Sequence, residues 1–287
     1  MSAASPDITA AELRARLDRI VGERSLATAK SAARLLVVEQ YLEEELAAMG
    51  LRVESDFFSY RGRSFRNVIA RTSAPKRAPL VVLGAHFDSV EGSPGADDNA
   101  SGVAALLEAA RVLSRMKLRN EVLFCAFNLE ELNMIGSSHL AKRLKSEGAT
   151  VAGMLSLEML GYTNRRPGSQ KYPPGFGWFY PDRADFIAVV GNWRSATLLK
   201  SFAAALKRVD GLPVETLSVM GNGFLVPQVR LSDHAPFWDA GFPALLLTDT
   251  AFMRNPNYHT AFDTIETLDL EFMAKVCRGI VNGVAAL

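Results

Sequence analysis

Nearly continuous apolar runs, separated by segments with helical periodicity, constrain the fold of this 287-residue chain more than any other feature. The run PLVVLGAHFD, which Pro79 opens, starts with the unbroken apolar pattern of a central strand that is covered on both faces. Further strand patterns follow it, with helical patterns between them. This alternation predicts an α/β fold, built on a mixed, mostly parallel central sheet with helices on both faces.

The boundaries of the elements follow from the same patterns. Two N-terminal helices are predicted within residues 8–49, and Thr9 and Glu12 offer the first of them a capping box. Strands are predicted at 52–60 and 64–72, in the run from Pro79, and at 120–128, 151–160, 186–192 and 243–250; later helices are predicted at 100–116, 130–147, 195–209 and 269–287. Two long irregular segments, 162–183 and 222–238, are predicted to be functional loops. We expect one domain over residues 1–287.

Composition excludes several classes of function. The formal net charge is +1, so there is no electrostatic case for binding nucleic acid or an anionic membrane. No stretch approaches the ~20 apolar residues of a membrane helix, and no apolar signal core opens the chain. We therefore expect a cytoplasmic protein, or a secreted or periplasmic one if a signal peptide has been removed. Cys125 and Cys277 are predicted to be buried free thiols.

Polar residues follow the predicted strands at the points where ligands bind in open α/β sheets. His86 and Asp88 end the run from Pro79, and Glu158 ends the strand at 151–160. The loop GADDNASG holds Asp97 and Asp98, the pair Glu130 and Glu131 follows another strand, and His259 lies beyond the last one. If these strands are parallel, four of them deliver a histidine or a carboxylate to one edge.

So many carboxylates in one place would repel one another unless cations lay among them. Each residue alone has an ordinary structural reading: a core histidine, a helix cap, or acids that match a helix dipole. Glu158 resists that reading, because a carboxylate inside MLSLEML is costly unless it is paired or bound to metal. Imidazole and carboxylate together are ligands that Zn²⁺ accepts, and the set suffices for two ions.

Five segments resemble the co-catalytic zinc aminopeptidase family, which includes bacterial leucyl aminopeptidases, with glutamate carboxypeptidase II and the glutaminyl cyclases as distant relatives. They are AHFDSV, GADDNASG, NLEELNMIGS, SLEMLGY and YHTAFDT, which occur in the family's order between residues 85 and 264. The resemblance implies two Zn²⁺ ions per chain, no organic cofactor, and peptides with a free N-terminus as substrates.

The resemblance also implies a role for each site residue. The implied metal ligands are His86, Asp98 as the bridging group, Glu131, Glu158 and His259. Glu130 resembles the general base, Asp88 the partner that orients His86, and Tyr258 a donor to the oxyanion of the intermediate. Glu158 stands where many members carry Asp, which adds one methylene but keeps the donor type.

Specificity is encoded less clearly. The segments GFGWFYP and GNGFLVPQVRLSDHAPFWDAGFP (residues 221–243), with Met134 and Met159, could line an apolar pocket that favours Leu, Met or Phe at the substrate's N-terminus, although ordinary packing explains each residue alone. Asp233 and His234 are interpreted as structural or pocket-lining residues. Three alternatives stay open: a single-zinc acyltransferase like the glutaminyl cyclases, a carboxypeptidase or deacylase of the same metal type, and a binding protein that has lost the chemistry.

Overall fold

The computed structural model describes residues 7–73 and 78–287. Two helices, α1 (Ala10–Ile20) and α2 (Ala29–Ala48), precede a hairpin of β1 (Arg52–Tyr60) and β2 (Arg63–Arg71). The predicted capping box begins α1, where the Glu12 backbone N–H donates to the Thr9 hydroxyl and the Thr9 N–H donates to the Glu12 carboxylate. Both predicted N-terminal helices are confirmed.

Strands and helices then alternate along the rest of the chain. The strands are β3 (Leu80–His86), β4 (Glu121–Phe127), β5 (Val151–Glu158), β6 (Ile187–Asn192), β7 (Val214–Val219) and β8 (Ala244–Thr248). The helices are α3 (Gly102–Leu113), α4 (Ile135–Ser146), α5 (Ala196–Leu206), α6 (His234–Ala240) and α7 (Leu270–Ala286).

All eight strands form one sheet in the order β1-β2-β4-β3-β5-β8-β6-β7. Strands β4, β3, β5 and β8 are mutually parallel, whereas β1 and β2 form an antiparallel edge. At the other edge, β6 runs antiparallel to β8, and β7 runs parallel to β6. The predicted mixed, mostly parallel sheet is confirmed, and the four strands that were expected to share an edge do share it.

Each face of the sheet is covered by helices. Alternate strand residues such as Val81 and Phe124 pack with α1, α2, α3, α5 and α7 in one apolar core. Their neighbours Val82 and Leu123 pack with α4 and α6 in the other. Both cysteines are buried and free, as predicted. No helix among the described residues is long and apolar enough to cross a membrane.

Two boundary predictions were wrong, and one strand was not predicted. The helix predicted from Glu130 begins at Ile135, because Leu129, Asn133 and Met134 have positive φ and hold the intervening residues in turns. The segment 222–238, predicted as irregular, contains the start of α6 at His234. Strand β7 was missed, because Glu215, Thr216 and Ser218 break both the apolar run and the strict alternation that mark a strand.

Candidate metal and catalytic site

The carboxyl ends of the parallel strands bring the predicted site residues together. His86 is the last residue of β3, and Glu158 is the last residue of β5 beside it. Glu130 and Glu131 follow β4, the other neighbour of β3, and His259 lies in the connection after β8. Because these strands are consecutive in the sheet, their ends meet in one place, as the sequence predicts.

The first group of donors consists of His86, Asp98 and Glu158, all of them buried. The Nε2 atom of His86 lies 3.3 Å from Asp98 Oδ1 and 3.5 Å from Glu158 Oε2. The three donor atoms therefore point at a common position.

The second group consists of Asp98, Glu131 and His259. The Nε2 atom of His259 lies 3.0 Å from Asp98 Oδ2 and 3.5 Å from Glu131 Oε2. Asp98 thus presents one carboxylate oxygen to each histidine, which is the arrangement a bridging ligand requires.

The loop that carries Asp98 is held by another carboxylate. Asp263 accepts the backbone N–H groups of Asp97 at 2.9 Å and of Asp98 at 3.1 Å. The side chain of Asp97 points elsewhere and accepts the Gly161 N–H and the Asn255 amide. Of the two adjacent aspartates, the structure therefore places Asp98 between the histidines.

Asp88 organises the turn that follows β4. Its Oδ1 and Oδ2 accept the backbone N–H groups of Glu130 and Glu131, each at 3.1 Å. Its Oδ1 also lies 3.5 Å from Nδ1 of His86, which is longer than a normal hydrogen bond. The contact with His86 that the sequence predicts is present, but the stronger contacts of Asp88 are with the Glu130–Glu131 backbone.

Unusual backbone conformations occur beside three of the site residues. Leu129, just before Glu130, has φ +59°, Met159, just after Glu158, has φ +48°, and His259 itself has φ +59°. Side chains disfavour this left-handed region, so such residues persist only where their surroundings enforce them, which is frequent at functional sites.

Crowding of acids shifts their protonation. Burial raises the pKa of Glu130 well above its ordinary value, and Asp233, Glu158 and Glu131 raise it further against the opposing effect of His86. Burial and the Asp98 charge raise the pKa of Glu131 to about 7. Asp98 is also buried, but its contacts with His259 and His86 hold its pKa below the ordinary value.

The histidines balance part of this negative charge. Burial lowers the pKa of His259, but its contacts with Asp98 and Glu131 outweigh that effect and raise it to about 10. For His86, the charges of Glu158 and Glu130 outweigh burial in the same way and raise its pKa well above the ordinary value. Without a metal ion, the protonated imidazoles of His86 and His259 supply the positive charge that these carboxylates attract.

The donor set fits zinc. Nitrogen and oxygen donors at ~2.1 Å in a tetrahedral arrangement lie ~3.4 Å from one another, and the separations of 3.0–3.5 Å in both groups match this spacing. The Oε1 atom of Glu131 is buried and has no hydrogen-bond partner among the described residues, so its lone pairs are available to a cation. Each group has three protein donors, which leaves a coordination position for water or substrate.

Tyr258 lies at the junction between this site and an apolar pocket. Its ring stacks on that of His259 with the centroids 3.7 Å apart, and it lines the pocket together with Glu158. Burial and the site carboxylates raise its pKa above the ordinary value, which keeps the hydroxyl protonated and able to donate.

Some of the residues predicted to line the pocket do so in the structure, and others do not. Phe176 and Tyr180 line the pocket, as do Val226, Gln228, Val229 and Leu231 of the segment 222–238. Trp178 and Phe179, in contrast, are 89% and 80% exposed, and neither belongs to the pocket wall. Met134 and Met159 also lie outside it.

The segment around Asp233 supports the site from behind. The Ser232 hydroxyl donates to Glu158 Oε2 at 2.8 Å, a contact that no sequence signal predicted. Both Asp233 oxygens are buried without a hydrogen-bond partner among the described residues. His234 contacts the Val229 carbonyl at 2.7 Å and is not part of either donor group.

Two other residues that support the site were missed. Asp263 lies four residues after the predicted ligand His259, and this proximity could have identified it as a residue that supports the site. Arg24 is fully buried, and its guanidinium reaches five main-chain carbonyl oxygens, those of Ile20, Gly22, Phe87, Pro94 and Gly95. Nothing in the local sequence marks this arginine as buried.

Known proteins resemble the chain over most of its length. The uncharacterized protein YfbL of Escherichia coli is 37% identical over 254 residues, which cover 85% of this chain and 77% of YfbL. A probable leucine aminopeptidase of Arthroderma otae is 28% identical over 273 residues, covering 89% of this chain and 66% of that protein. The chain thus spans about two thirds of the length of that aminopeptidase.

Solved structures share the fold. LapA of Legionella pneumophila superposes with a TM-score of 0.77 at 21% identity, covering 97% of this chain and 72% of LapA. A glutaminyl cyclase of Bacteroides thetaiotaomicron superposes with a TM-score of 0.71 at 18% identity, covering 98% of both chains. At these identities the likeness shows the fold alone.

The family is shown by sequence. The profile of peptidase family M28 matches residues 67–284, a range that includes every predicted site residue. The match confirms the resemblance to the zinc aminopeptidases that the five segments indicated, and with it the prediction of a peptidase. The chain belongs to peptidase family M28.

Proposed function

We propose that the protein is a zinc-dependent aminopeptidase that uses two metal ions to hydrolyse the N-terminal peptide bond of peptides. The observation that carries the proposal is the position of Asp98, whose two carboxylate oxygens face two different histidines at 3.3 Å and 3.0 Å. A carboxylate shared in this way suits a pair of ions a few ångströms apart, as in two-metal aminopeptidases. Family membership supports the peptidase class, and the name of the Arthroderma relative supports the aminopeptidase activity.

In this proposal, one zinc ion is held by His86, Glu158 and Asp98, and the other by Asp98, Glu131 and His259. Bound zinc supplies Lewis-acid polarisation of the scissile carbonyl and makes a water molecule acidic at neutral pH. Asp88 and Asp263 act on the protein side, since they fix the backbones that carry Glu131 and Asp98.

Glu130 is the general base of the proposed reaction. Its carboxylate is not a member of either donor group, yet its Oε2 lies 3.8 Å from His86 Nε2, so it borders the site without completing it. A base must lose and regain a proton near the working pH. In the protein without metal, burial and the neighbouring acids raise the pKa of Glu130 above its ordinary value. Glu130 takes the proton of the attacking water and later returns it to the leaving amine.

Tyr258 is the proposed oxyanion donor. Its side chain stands where the site opens into the apolar pocket, and its hydroxyl stays protonated. A donor aimed at the developing negative oxygen stabilises the transition state more than the substrate. Stacking on His259 fixes the plane of the ring.

The substrate's free N-terminal amine is a cation that the carboxylates of the site attract. The pocket beside Glu158 then takes the side chain of the first residue, while the rest of the peptide extends away from it. This arrangement explains removal of one residue at a time. We propose peptides with a free N-terminus as the partners of this chain, and we retain the prediction of one domain over residues 1–287.

Two alternatives within the same fold use different chemistry. A single-zinc acyltransferase like the glutaminyl cyclases needs one group of donors, whereas two groups that share Asp98 favour two ions. A carboxypeptidase or deacylase would act on substrates with a blocked N-terminus. A binding protein without catalysis would have lost a ligand or the base, but every such position holds a competent side chain.

The deciding experiment combines metal analysis with an amide substrate. We expect about two zinc ions per chain by mass spectrometry, and hydrolysis of leucine p-nitroanilide that chelation abolishes and zinc restores. Acetyl-leucine p-nitroanilide is the matched control, and an aminopeptidase should leave it intact. One zinc ion without amide hydrolysis would instead favour the cyclase-like reaction, and no metal after zinc addition would refute the proposal.

A further inference from the structure

The pocket beside the metal site has a floor that runs across four strands in a single row. In the sheet register, Glu158 pairs with Thr248 on β8, Thr248 with Ala188 on β6, and Ala188 with Glu215 on β7. Paired residues project from the same face of a sheet, and all four line the pocket. The row therefore starts at a carboxylate of the metal site and ends at a second carboxylate, that of Glu215.

Glu215 is an unusual residue for this place. Most of the other residues that line the pocket are apolar or aromatic, among them Val190, Leu217 and Leu246. The side chain is partly buried, and no cation of residues 7–73 and 78–287 forms an ion pair with it. A carboxylate that lies against apolar surface without a partner is energetically unfavourable, so a ligand with a positive charge would lower the free energy of Glu215 by pairing with it.

Aromatic rings flank this carboxylate. Tyr172 and Tyr180 stack with their centroids 5.8 Å apart, and Phe176 stacks on Tyr180 at 6.5 Å. The tyrosine hydroxyls donate to the carbonyls of Pro181 and Thr216, so neither of them neutralises Glu215. Burial raises the pKa of Tyr180, and the nearby Glu215 charge raises it further, which shows that the carboxylate acts on this wall.

The length of the row selects the length of the side chain. Neighbouring strands lie ~4.8 Å apart, so three steps separate the Cα atoms of Glu158 and Glu215 by ~14 Å, and side chains that stand perpendicular to the sheet keep about this separation. Hydrogen bonds of ~2.9 Å at both ends leave ~8 Å for the ligand to span. From its α-amine to its terminal nitrogen a lysine has six bonds of ~1.5 Å, which extend ~7.5 Å in a zigzag, whereas leucine ends two bonds earlier.

We propose, on the basis of the aminopeptidase function above, that this pocket selects peptides whose first residue is lysine or arginine, and that Glu215 is the residue that determines this specificity. The apolar and aromatic residues of the wall pack against the methylene stem, as such surfaces do around other long cationic side chains. Glu215 pairs with the terminal cation, and the faces of the tyrosine rings add a cation–π contribution. The expectation of a purely apolar pocket for Leu, Met or Phe is thereby refined, because its far end is acidic.

Norleucine provides the matched substrate for the test, because its side chain is that of lysine without the ammonium group. With zinc-loaded protein, we expect kcat/KM for lysine p-nitroanilide to exceed that for norleucine p-nitroanilide by about tenfold, equivalent to about 1.4 kcal/mol, mainly through KM. Glu215→Gln keeps the size and removes the charge, so it should abolish this preference by lowering kcat/KM for the lysine anilide to about the value for the norleucine anilide.

Two controls are needed. The first tests whether the effect is specific to the charge of Glu215, and the second tests whether it arises in substrate binding rather than in catalysis. Glu271→Gln removes an exposed carboxylate from α7 and should leave the lysine preference unchanged. Calorimetric binding of lysinamide and norleucinamide to the slow Glu130→Gln variant measures the pocket with little turnover, and adding Glu215→Gln to that variant should weaken the binding of lysinamide more than that of norleucinamide.

The outcomes distinguish this inference from the proposed function. If norleucine and leucine anilides are hydrolysed but lysine has no advantage, or if Glu215→Gln leaves that advantage intact, the assignment of Glu215 is wrong and its carboxylate is only a solvated edge residue. If no anilide is hydrolysed, the aminopeptidase proposal fails, and the calorimetric difference between the two amides alone decides the role of Glu215.

Discussion

Replacing Arg24 with lysine tests whether one buried side chain holds the loop that leads to Asp98. The guanidinium of Arg24 donates through Nε to Phe87, through Nη2 to Gly95, and through Nη1 to three further carbonyl oxygens, at distances of 2.7–3.2 Å. These carbonyls belong to the end of α1, the turn after it, and the segment between β3 and the aspartate loop. Arg24 thus joins the N-terminal helices to the metal site.

The magnitude follows from counting donors. A lysine ammonium has three N–H groups on a single nitrogen, so at least two of the five contacts are lost. The carbonyls of Pro94 and Gly95 keep a backbone donor, the N–H groups of Gly22 and Ala100, so the cost is that of lost hydrogen bonds to a charged group rather than of unsatisfied acceptors. At roughly 1.5–3 kcal/mol for each such bond, the total is about 3 kcal/mol. Because Phe87 and Gly95 flank the site, zinc affinity should fall together with the free energy of unfolding.

Urea denaturation of the chelator-treated protein measures the first effect, and competition with a fluorescent zinc chelator measures the second. Arg34→Lys is the matched control, since among residues 7–73 and 78–287 Arg34 donates only to the carbonyls of Arg19 and Val21, which one ammonium can serve. The control should lose less than about 1 kcal/mol. If Arg24→Lys unfolds at the same urea concentration as the wild type, the five contacts do not stabilise the loop as argued.

Further predictions concern the chemistry and the pH dependence. Glu130→Gln should keep its zinc by mass spectrometry while kcat falls ~10²–10⁴-fold, and near-normal turnover would exclude Glu130 as the base. Tyr258→Phe should lower kcat roughly 10²-fold with little change in KM, whereas an unchanged kcat would remove Tyr258 from the mechanism. Burial lowers the pKa of His234 to about 3, so the folded state stays neutral while the unfolded state takes up a proton below pH ~6.5. Neutral His234 therefore contributes its full share to the free energy of unfolding at pH 7, and that contribution falls by about 2 kcal/mol between pH 7 and pH 5. Denaturation at both pH values should show a smaller fall in His234→Gln than in the wild type. An equal fall in both proteins would contradict the assignment. Zinc at 100 times its Kd should raise the free energy of unfolding by ~2.7 kcal/mol per ion, and a melting temperature that ignores zinc would show that no ion binds the folded state preferentially.

The sequence predicts the sheet centre and the convergence of the site for the same reason. Buried parallel strands need unbroken apolar runs, so a polar residue such as His86 or Glu158 marks the place where such a run ends. Parallel strands of one sheet have their carboxyl ends at the same edge. A polar residue at the end of each apolar run is therefore enough to predict that these polar residues lie close together. In the structure, His86 Nε2 and Glu158 Oε2 do meet, 3.5 Å apart.

Features that depend on tertiary contacts were not predictable. Glu130 looks like the start of a helix, but Asp88 captures the N–H groups of Glu130 and Glu131 from across the site and holds a turn there instead. The burial of Arg24 depends on carbonyls up to 71 positions away along the chain. Strand β7 carries Glu215 to the pocket only through its register with β6, which a single short segment cannot reveal.

The reversal of direction at β6 has an evolutionary consequence. The groups proposed for catalysis lie at the carboxyl ends of β3, β4, β5 and β8, or in the loops that follow them. Strands β6 and β7 run in the opposite direction, so they begin at that edge of the sheet and contribute Ala188 and Glu215 near their starts. The segment that precedes β6 can therefore change in length and composition without altering how β3, β4, β5 and β8 end. Mutation can retune the choice of substrate while the reaction is conserved, and directed evolution of this chain toward new N-terminal residues should begin with residues 162–186 and with the first half of β7.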